Sequence, residues 1–509
     1  MKLTYVSHAS LLLETNDATI LTDPWYDGPA YHNQWHVFPK PVDTSFVDKV
    51  THLILTHGHE DHFHLPTLKR VNKNAKVYFP YTWKSGSVEL LKSLGFKNIE
   101  EVQSFKKIKL SNDVFLTFVI NGLDAFAIYE FAGLVFLNLN DALNASHKTY
   151  LRMFNNIIKA SFPVVDYMIT GLGGASYFPN TVHSPLKNDR EIGILREQFL
   201  AHKFCELLHE IKPKNVIPFV PGFALLEKDK QWINEIKFSR NNLESYYKEN
   251  FDSQSTIGFM NLFPGDFVNE KGWIKSSPYH NESIDDNVSH LVARQYANEI
   301  EEVNKIKMQK PDVIYELAKN LNQLLKLNNS GISKELLKQV NFGIRFNDVK
   351  EDIFIHCYYT SKGLKAEAVK EWPANANLKI TTQTFKLDYA IKEEWGGDVF
   401  FIGYGADIDI LDQKCLKDNL DIVSIRLLSR FPAASYNMMR EPIRAAKYLL
   451  NNPDFAALAI KQKIVTRGNP NKLPYNERAH WINKSKCDVC KLCDIPLLSD
   501  EFAGLLNFV

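Results

Sequence analysis

Residues 56–64 read THGHEDHFH, which places four of the chain's sixteen histidines within eight positions, with Glu60 and Asp61 among them. Imidazole nitrogen and carboxylate oxygen together make a donor set for zinc, iron or manganese. His57 and His59 are two residues apart, so in an extended loop both point the same way and can reach one ion. Asp61 and His62 lie where the chain turns into LPTLKR and can reach the same ion or a second. An ion held with an open position lowers the pKa of its water toward ~7, which is the chemistry of hydrolysis at neutral pH. Asp61 and His59 are the candidate catalytic residues, Asp61 as a proton acceptor whose role as a ligand would limit that use. One His-x-His alone would read as a polar loop of solvated histidines. The whole pattern favours metal. His64 has no role in this reading and is expected to be solvated.

Elements must hold that loop in place. VTHLIL reads as a buried strand that runs into it, and KLTYVSHASLLLET with ATILTDPW as two strands joined at Asn16-Asp17. KVYFP, IKLSNDVFLTFVI, AFAIYEF and LVFLNLND continue the strands, and NVIPFVPGF is the last of them. GSVELLKSLGF is helical, as is a longer stretch from about Asp189 to Lys212, where Ile192, Leu195, Phe199, Phe204, Leu207, Leu208 and Ile211 form a stripe stopped by Pro213. Strands that end in polar loops, with helices outside them, predict an α/β protein built as an αββα sandwich. After Phe263 the pattern changes. Residues 264–340 read as a connection and a helical segment, and 341–480 as an α+β domain with strands such as LKITTQTFKLDYAI and DVFFIGYGADIDI. Residues 481–509 read as a cysteine-bearing tail.

The composition bounds the function. A chain of 509 residues, 45% hydrophobic and 23% charged, is an ordinary globular protein of more than one domain. Its net charge of +1 argues against nucleic acid as a partner. No apolar run approaches the ~20 residues that span a bilayer. Six cysteines in such a length make no disulfide scaffold, and a reducing, cytoplasmic location follows.

The segments THGHEDH, ILTDPW and NLNDA resemble the metallo-β-lactamase superfamily. SHASLLLE, LTDPWYDGPAYHNQW, LNLNDA, GGASYFP and IPFVPGF are similar, more narrowly, to the lactamase-fold region of CMP-N-acetylneuraminate hydroxylases, over about residues 1–225. The resemblance implies a metal centre at one edge of the sandwich in residues 1–263. His57, His59, Asp61, His62 and Asp141 would hold one or two ions, Asp141 as the superfamily's bridging aspartate. Asp23 would orient a ligand imidazole, with His8 in the same outer layer. Two departures stand out. The superfamily places a further histidine between motif and bridging aspartate, yet residues 65–140 contain none, leaving Asn121 and Asp124 as substitutes. The usual histidine on the last strand is absent from IPFVPGF, and His183 is the first stand-in, with His8 and His147 behind it. The hydroxylases carry an N-terminal Rieske domain, which is not expected on a chain that starts directly in the lactamase-like region.

Other residues are candidates for substrate. Gly173, Gly174 and Ser176 lie in GLGGASYFP, where backbone N–H groups can approach an anion, or simply form a tight turn. Trp25, His32 and Trp35 could wall a pocket and stack on a base or sugar, although packing is the more common fate of such aromatics. In the tail, Cys487, Cys490 and Cys493 follow His480 and could hold zinc or part of an iron–sulfur cluster. Residues 341–430 resemble a sterol-carrier-like module with an interaction or pocket-covering role.

The expected function is therefore a metal-dependent hydrolase acting on a small polar anion such as a phosphoester, lactone or nucleotide sugar. The alternatives are an iron-dependent oxygenase or redox component with an electron-transfer partner, and a non-catalytic binding protein.

Overall fold

In the computed structural model of the chain, residues 2–457 are described apart from 123, 144–147, 174–176, 184–187, 220–221, 283, 286, 328–336, 339, 394–395, 412–440 and 454–455. Two sheets stack face to face. The first runs, edge to edge, through Gly272–Ile274, Phe267–Asn269, Lys2–Ser7, Ser10–Glu14, Thr19–Thr22, His52–Ile54, Lys76–Pro80 and Asn98–Val102. Its last four strands are parallel. The second runs through Gly258–Phe259, Asn215–Phe219, Tyr167–Gly171, Leu134–Asn140, Asp124–Phe131, Val114–Asn121 and Lys107–Lys109.

Side chains alternate across a strand, and the sequence supplies apolar residues for both faces. Leu11, Leu13 and Ile20 point between the sheets, with Phe118, Tyr129, Ile169 and Ile217 from the other side. Leu12, Leu21, Leu53 and Val77 point outward, under Leu68 of the helix Leu65–Arg70 and Val88 and Leu91 of Gly86–Ser93. The helices Lys148–Ser161, Asp189–Ile211 and Leu243–Asn250 cover the second sheet. Strands buried on both faces are why VTHLIL and KVYFP are continuous apolar runs. The αββα sandwich is the architecture expected from the sequence.

The first sheet takes its outer edge from Phe267–Asn269 and Gly272–Ile274, residues that the sequence assigns to the connection. A third sheet follows in the order Val182–His183, Ala406–Ile410, Leu378–Thr382, Asn341–Phe346, Phe354–Thr360 and Gly363–Val369. Its first strand belongs to the sandwich, so the C-terminal module is stitched to the N-terminal one by backbone pairing of Val182 with Ile408. Ile192, Phe199 and Leu200 of the long helix enter the same apolar core as Phe342, Ile380 and Ile408.

Two expected strands are partly helix. LKITT is a strand, but Thr384–Lys392 is helical, because Asp348 caps it by accepting from Thr384 N at 3.0 Å and from its Oγ1 at 2.7 Å. Asp398–Phe401 forms a helical turn before the strand Ala406–Ile410. Among the described residues no helix is long and apolar enough to cross a membrane.

Candidate metal centre

Thr19–Thr22 and His52–Ile54 are parallel neighbours, and the chain leaves both at the same end of the sheet. Asp23 follows the first and Thr56 to His62 follow the second, while Asp141 follows Leu134–Asn140 of the facing sheet. Loops at the carboxyl ends of parallel strands are where open α/β sheets place their ligands. Backbone strain collects there as well. His8, Asp23 and Asn140 all adopt left-handed φ angles of 49°, 36° and 55°. Such conformations cost non-glycine residues ~1–3 kcal/mol each, and are held where the surroundings require them.

Two groups of potential ligands result: His8, Asp61 and His62, and His57, His59 and Asp141. Within each, one ligand atom per residue lies within 4.8 Å of the others. His57 Nε2 is 2.8 Å from His59 Nδ1 and 3.9 Å from Asp141 Oδ2. His62 Nε2 lies 3.4 Å from Asp61 Oδ2 and 3.3 Å from Asp141 Oδ2, so Asp141 stands between the groups. His8 Nε2 meets Asp61 Oδ2 at 2.9 Å. Asp23 is fully buried and accepts from Thr56 N at 2.8 Å, from Thr56 Oγ1 at 2.7 Å and from Asn140 Nδ2. It faces His62 Nδ1 at 3.4 Å. A carboxylate on the far nitrogen of a ligand imidazole fixes its tautomer and direction.

The electrostatics call for a cation. Burial opposes charge on His62, but Asp61 and Asp141 outweigh it and hold its pKa well above the ordinary value. Burial would raise Asp141, yet His62 and His57 hold it down at about 2. His57, in contrast, is pushed by burial to about 4 and stays neutral, as a ligand imidazole must be. His62 Nε2 is buried, has no hydrogen-bond partner and points among carboxylates. These residues fit a metal ion. The site opens to solvent at Asp141 and His59, whose side chains are 41% and 26% exposed.

The other expected residues divide sharply. Asp124 begins the strand Asp124–Phe131 with Asn121 across the hairpin. Its carboxyl pKa is raised, mainly by burial, and it is near enough to His59 and Asp141 to feel both charges. His183 lies outside the cluster. Its Nδ1 and Nε2 meet Asp189 and Asp407 at 2.7 and 2.8 Å, so neither nitrogen is left for a metal. The residue beside IPFVPGF is His8. A Cβ on Gly222 would come within 2.6 Å of His8 Cα, so the glycine leaves the room that His8 occupies. His8 thus contributes directly to a donor group, where the sequence placed it in an outer layer.

Trp25 is fully buried, donates to Gly28 O at 2.8 Å and packs edge-on to His8. Trp35 stacks on Phe223 at 3.6 Å, and His32 on Tyr389 of the C-terminal module at 4.4 Å. All three are taken up by packing. Gly173 has a left-handed φ of 97°, the conformation glycine serves best. Gly174, Ser176, His147, His480, Cys487, Cys490 and Cys493 lie outside the described residues. His64 is buried rather than solvated, with Nδ1 3.0 Å from Thr67 Oγ1 and Nε2 3.2 Å from Pro29 O.

Three residues escaped the sequence reading. Tyr31 donates from its hydroxyl to Asp61 Oδ1 at 2.5 Å, aimed by three successive left-handed residues, Tyr31, His32 and Asn33. Glu60 accepts from Tyr31 N at 2.7 Å, and its burial raises its pKa to about 7. Asp398 arrives from the C-terminal module, with Oδ2 4.0 Å from His59 Nε2. No local pattern marks them, because each contact joins segments distant in sequence or backbone set by a turn.

Residues 2–171 match the family model described as the Beta-lactamase superfamily domain. A Rieske 2Fe-2S iron-sulfur protein of Mycolicibacterium smegmatis is 26% identical over 248 residues, 46% of each chain. The cytidine monophosphate-N-acetylneuraminic acid hydroxylase of Danio rerio is 24% identical over 262 residues, 46% of this chain and 40% of the hydroxylase. The match thus spans less than half the length of either relative. Among solved structures, Igni18, a metallo hydrolase of the archaeon Ignicoccus hospitalis, is 17% identical with a TM-score of 0.33, over 52% of this chain and 97% of that one. Residues 2–171, the part of the chain that matches the Beta-lactamase superfamily domain, contain every residue of the His/Asp cluster.

Proposed function

We propose that the chain is a metal-dependent hydrolase of a small, polar, anionic substrate of the phosphoester, lactone or nucleotide-sugar type. One observation carries the reading: two three-residue donor groups meet around the orphaned Nε2 of His62 at a solvent-open sheet end. His57, His59 and Asp141 would hold one ion of zinc, iron or manganese, and His8, Asp61 and His62 a second. A bound ion would lower the pKa of a coordinated water toward ~7 and polarise the scissile group.

The protein's own groups prepare that chemistry. Asp23, fixed by Thr56 and Asn140, holds His62 in one orientation. Tyr31 occupies Asp61 Oδ1, so uptake of a proton at that oxygen would cost the Tyr31 bond. Asp61 serves better as a ligand than as a base. Substrate would enter by the exposed side of Asp141 and His59. Buried, free Cys205 and Cys357 accord with a reducing, cytoplasmic setting.

A second reading is an iron-dependent oxygenase. Carboxylates are prominent in the cluster, with Asp61 and Asp141 joined by nearby Asp124, and hard oxygen donors suit iron. The similarity to sialic acid hydroxylase points the same way. That activity would need an electron donor, either a partner protein or a cluster on Cys487, Cys490 and Cys493. Metal analysis of protein purified without added metal, with turnover on phosphodiester and lactone panels, separates the two. Zinc or manganese with hydrolysis supports the first; iron with a charge-transfer band and no hydrolysis overturns it. Iron content unchanged in Cys490→Ala would remove the tail site.

A further inference from the structure

His59 presents its two ring nitrogens to different partners. Nδ1 faces His57 Nε2 at 2.8 Å, a separation suited to two donors on one ion, and so Nδ1 is the atom turned toward the metal position. Nε2 faces the other way, toward Asp398 Oδ2 at 4.0 Å. Asp398 is 8% exposed and its Oδ2 has no hydrogen-bond partner. A buried carboxyl oxygen without a partner loses its solvation with nothing to offset the loss. Nothing on its own helical turn does so.

The backbone that carries Asp398 is tightly held. With its amide oriented to satisfy its neighbours, buried Gln34 donates to Tyr31 O at 2.9 Å and Val399 O at 2.7 Å, and accepts from Gly405 N at 3.1 Å. Gly403 and Gly405 have no room for a Cβ, which would fall within 2 Å of the Gln34 amide. Tyr404 packs with Trp35 in the same small core as Tyr31. The residue that binds Asp61 and the residue that faces His59 are thus locked to each other through Gln34.

We propose that Asp398 is a positioning residue for the metal ligand His59: its buried Oδ2, facing Nε2, favours the tautomer that keeps the ring proton on Nε2 and so leaves the Nδ1 lone pair for the ion. Asp398 would do for His59 what Asp23 does for His62, but from a second module. The metal centre is then completed only when the C-terminal module is docked. This inference rests on the metal-centre reading and not on the choice between hydrolase and oxygenase.

The test compares Zn²⁺ and Mn²⁺ affinity, by chelator competition, with the melting temperature of the metal-free protein for wild type, Asp398→Asn and Asp398→Glu. Loss of an outer carboxylate partner typically weakens metal binding 10–100-fold. Asp398→Asn should show that loss while the metal-free protein melts at about the same temperature, because the side chain keeps its size and polarity; Asp398→Glu should recover part of the affinity. Affinity within twofold of wild type, or affinity lost in step with melting temperature, overturns the proposal. A variant that does not fold counts as the latter for that substitution, and Asp398→Glu then decides by the same comparison. If wild type itself binds neither of these ions nor Fe²⁺, the metal-centre reading fails instead.

Discussion

His62 sits among Asp23, Asp61 and Asp141 with its Nε2 unsatisfied, so the cluster's behaviour turns on what balances those carboxylates. With Asp23→Ala, Thr56 N and Thr56 Oγ1 lose a buried acceptor, while Asn140 Nδ2 keeps its bond to Thr56 Oγ1 at 2.8 Å. At ~1–3 kcal/mol for each stranded donor, the loss should be about 3 kcal/mol of stability, together with a 10–100-fold loss of metal affinity. Urea unfolding and chelator competition measure the two. Gly222→Ala tests how His8 is placed. The added Cβ would meet His8 Cα at 2.6 Å, backbone that cannot swing away. Stability should fall by about 2 kcal/mol, in the range for overpacking, and metal stoichiometry or affinity should fall with it. An alanine variant that binds metal like wild type would mean that His8 is not a ligand.

At the scale of elements, the short strand Val182–His183 is the seam between the modules, and His183 is its ionic clasp. Burial opposes its charge, but Asp189 and Asp407 raise its pKa from 6.5 to about 9, while Lys230, also bound to Asp407, works against them. A raised folded pKa stabilises fully below the unfolded value of 6.5 and loses that contribution as pH climbs through 9. The shift corresponds to on the order of 3 kcal/mol. Stability measured by urea unfolding should therefore fall between pH 6.5 and 9.5, and His183→Ala should flatten that slope. An equal slope in both proteins would contradict the clasp. How much of this was legible depended on sequence distance. The helix ending at Ile211 was readable because its stripe and Pro213 are local. THGHEDH was readable because its spacing is local too. Thr384–Lys392 was missed because its cap, Asp348, lies 36 residues upstream. His183, the first stand-in for the missing histidine, is held away from the cluster by Asp189 and by Asp407, and the second lies 224 residues away in sequence.

Taken as a whole, the molecule has its C-terminal module pressed against the loop that follows TDPW. His32 stacks on Tyr389, and Gln34 fits against Gly403 and Gly405. The bulk at Gly405 would also meet Val399 O at 2.7 Å, so Gly405→Val cannot be absorbed by Gln34 alone. That variant should lose more than 2 kcal/mol and expose the tyrosine-rich interface, seen as faster proteolysis between the modules; unchanged cleavage would show that they are not coupled there. The central claim is nonetheless the metal centre. Its most direct test is elemental analysis of wild type and His59→Ala, each purified without added metal and matched for secondary structure by circular dichroism. The account predicts at least one zinc, iron or manganese per wild-type chain and essentially none in the folded variant. Metal-free wild type that gains none on incubation with these ions, or a His59→Ala protein that keeps its metal, would contradict it.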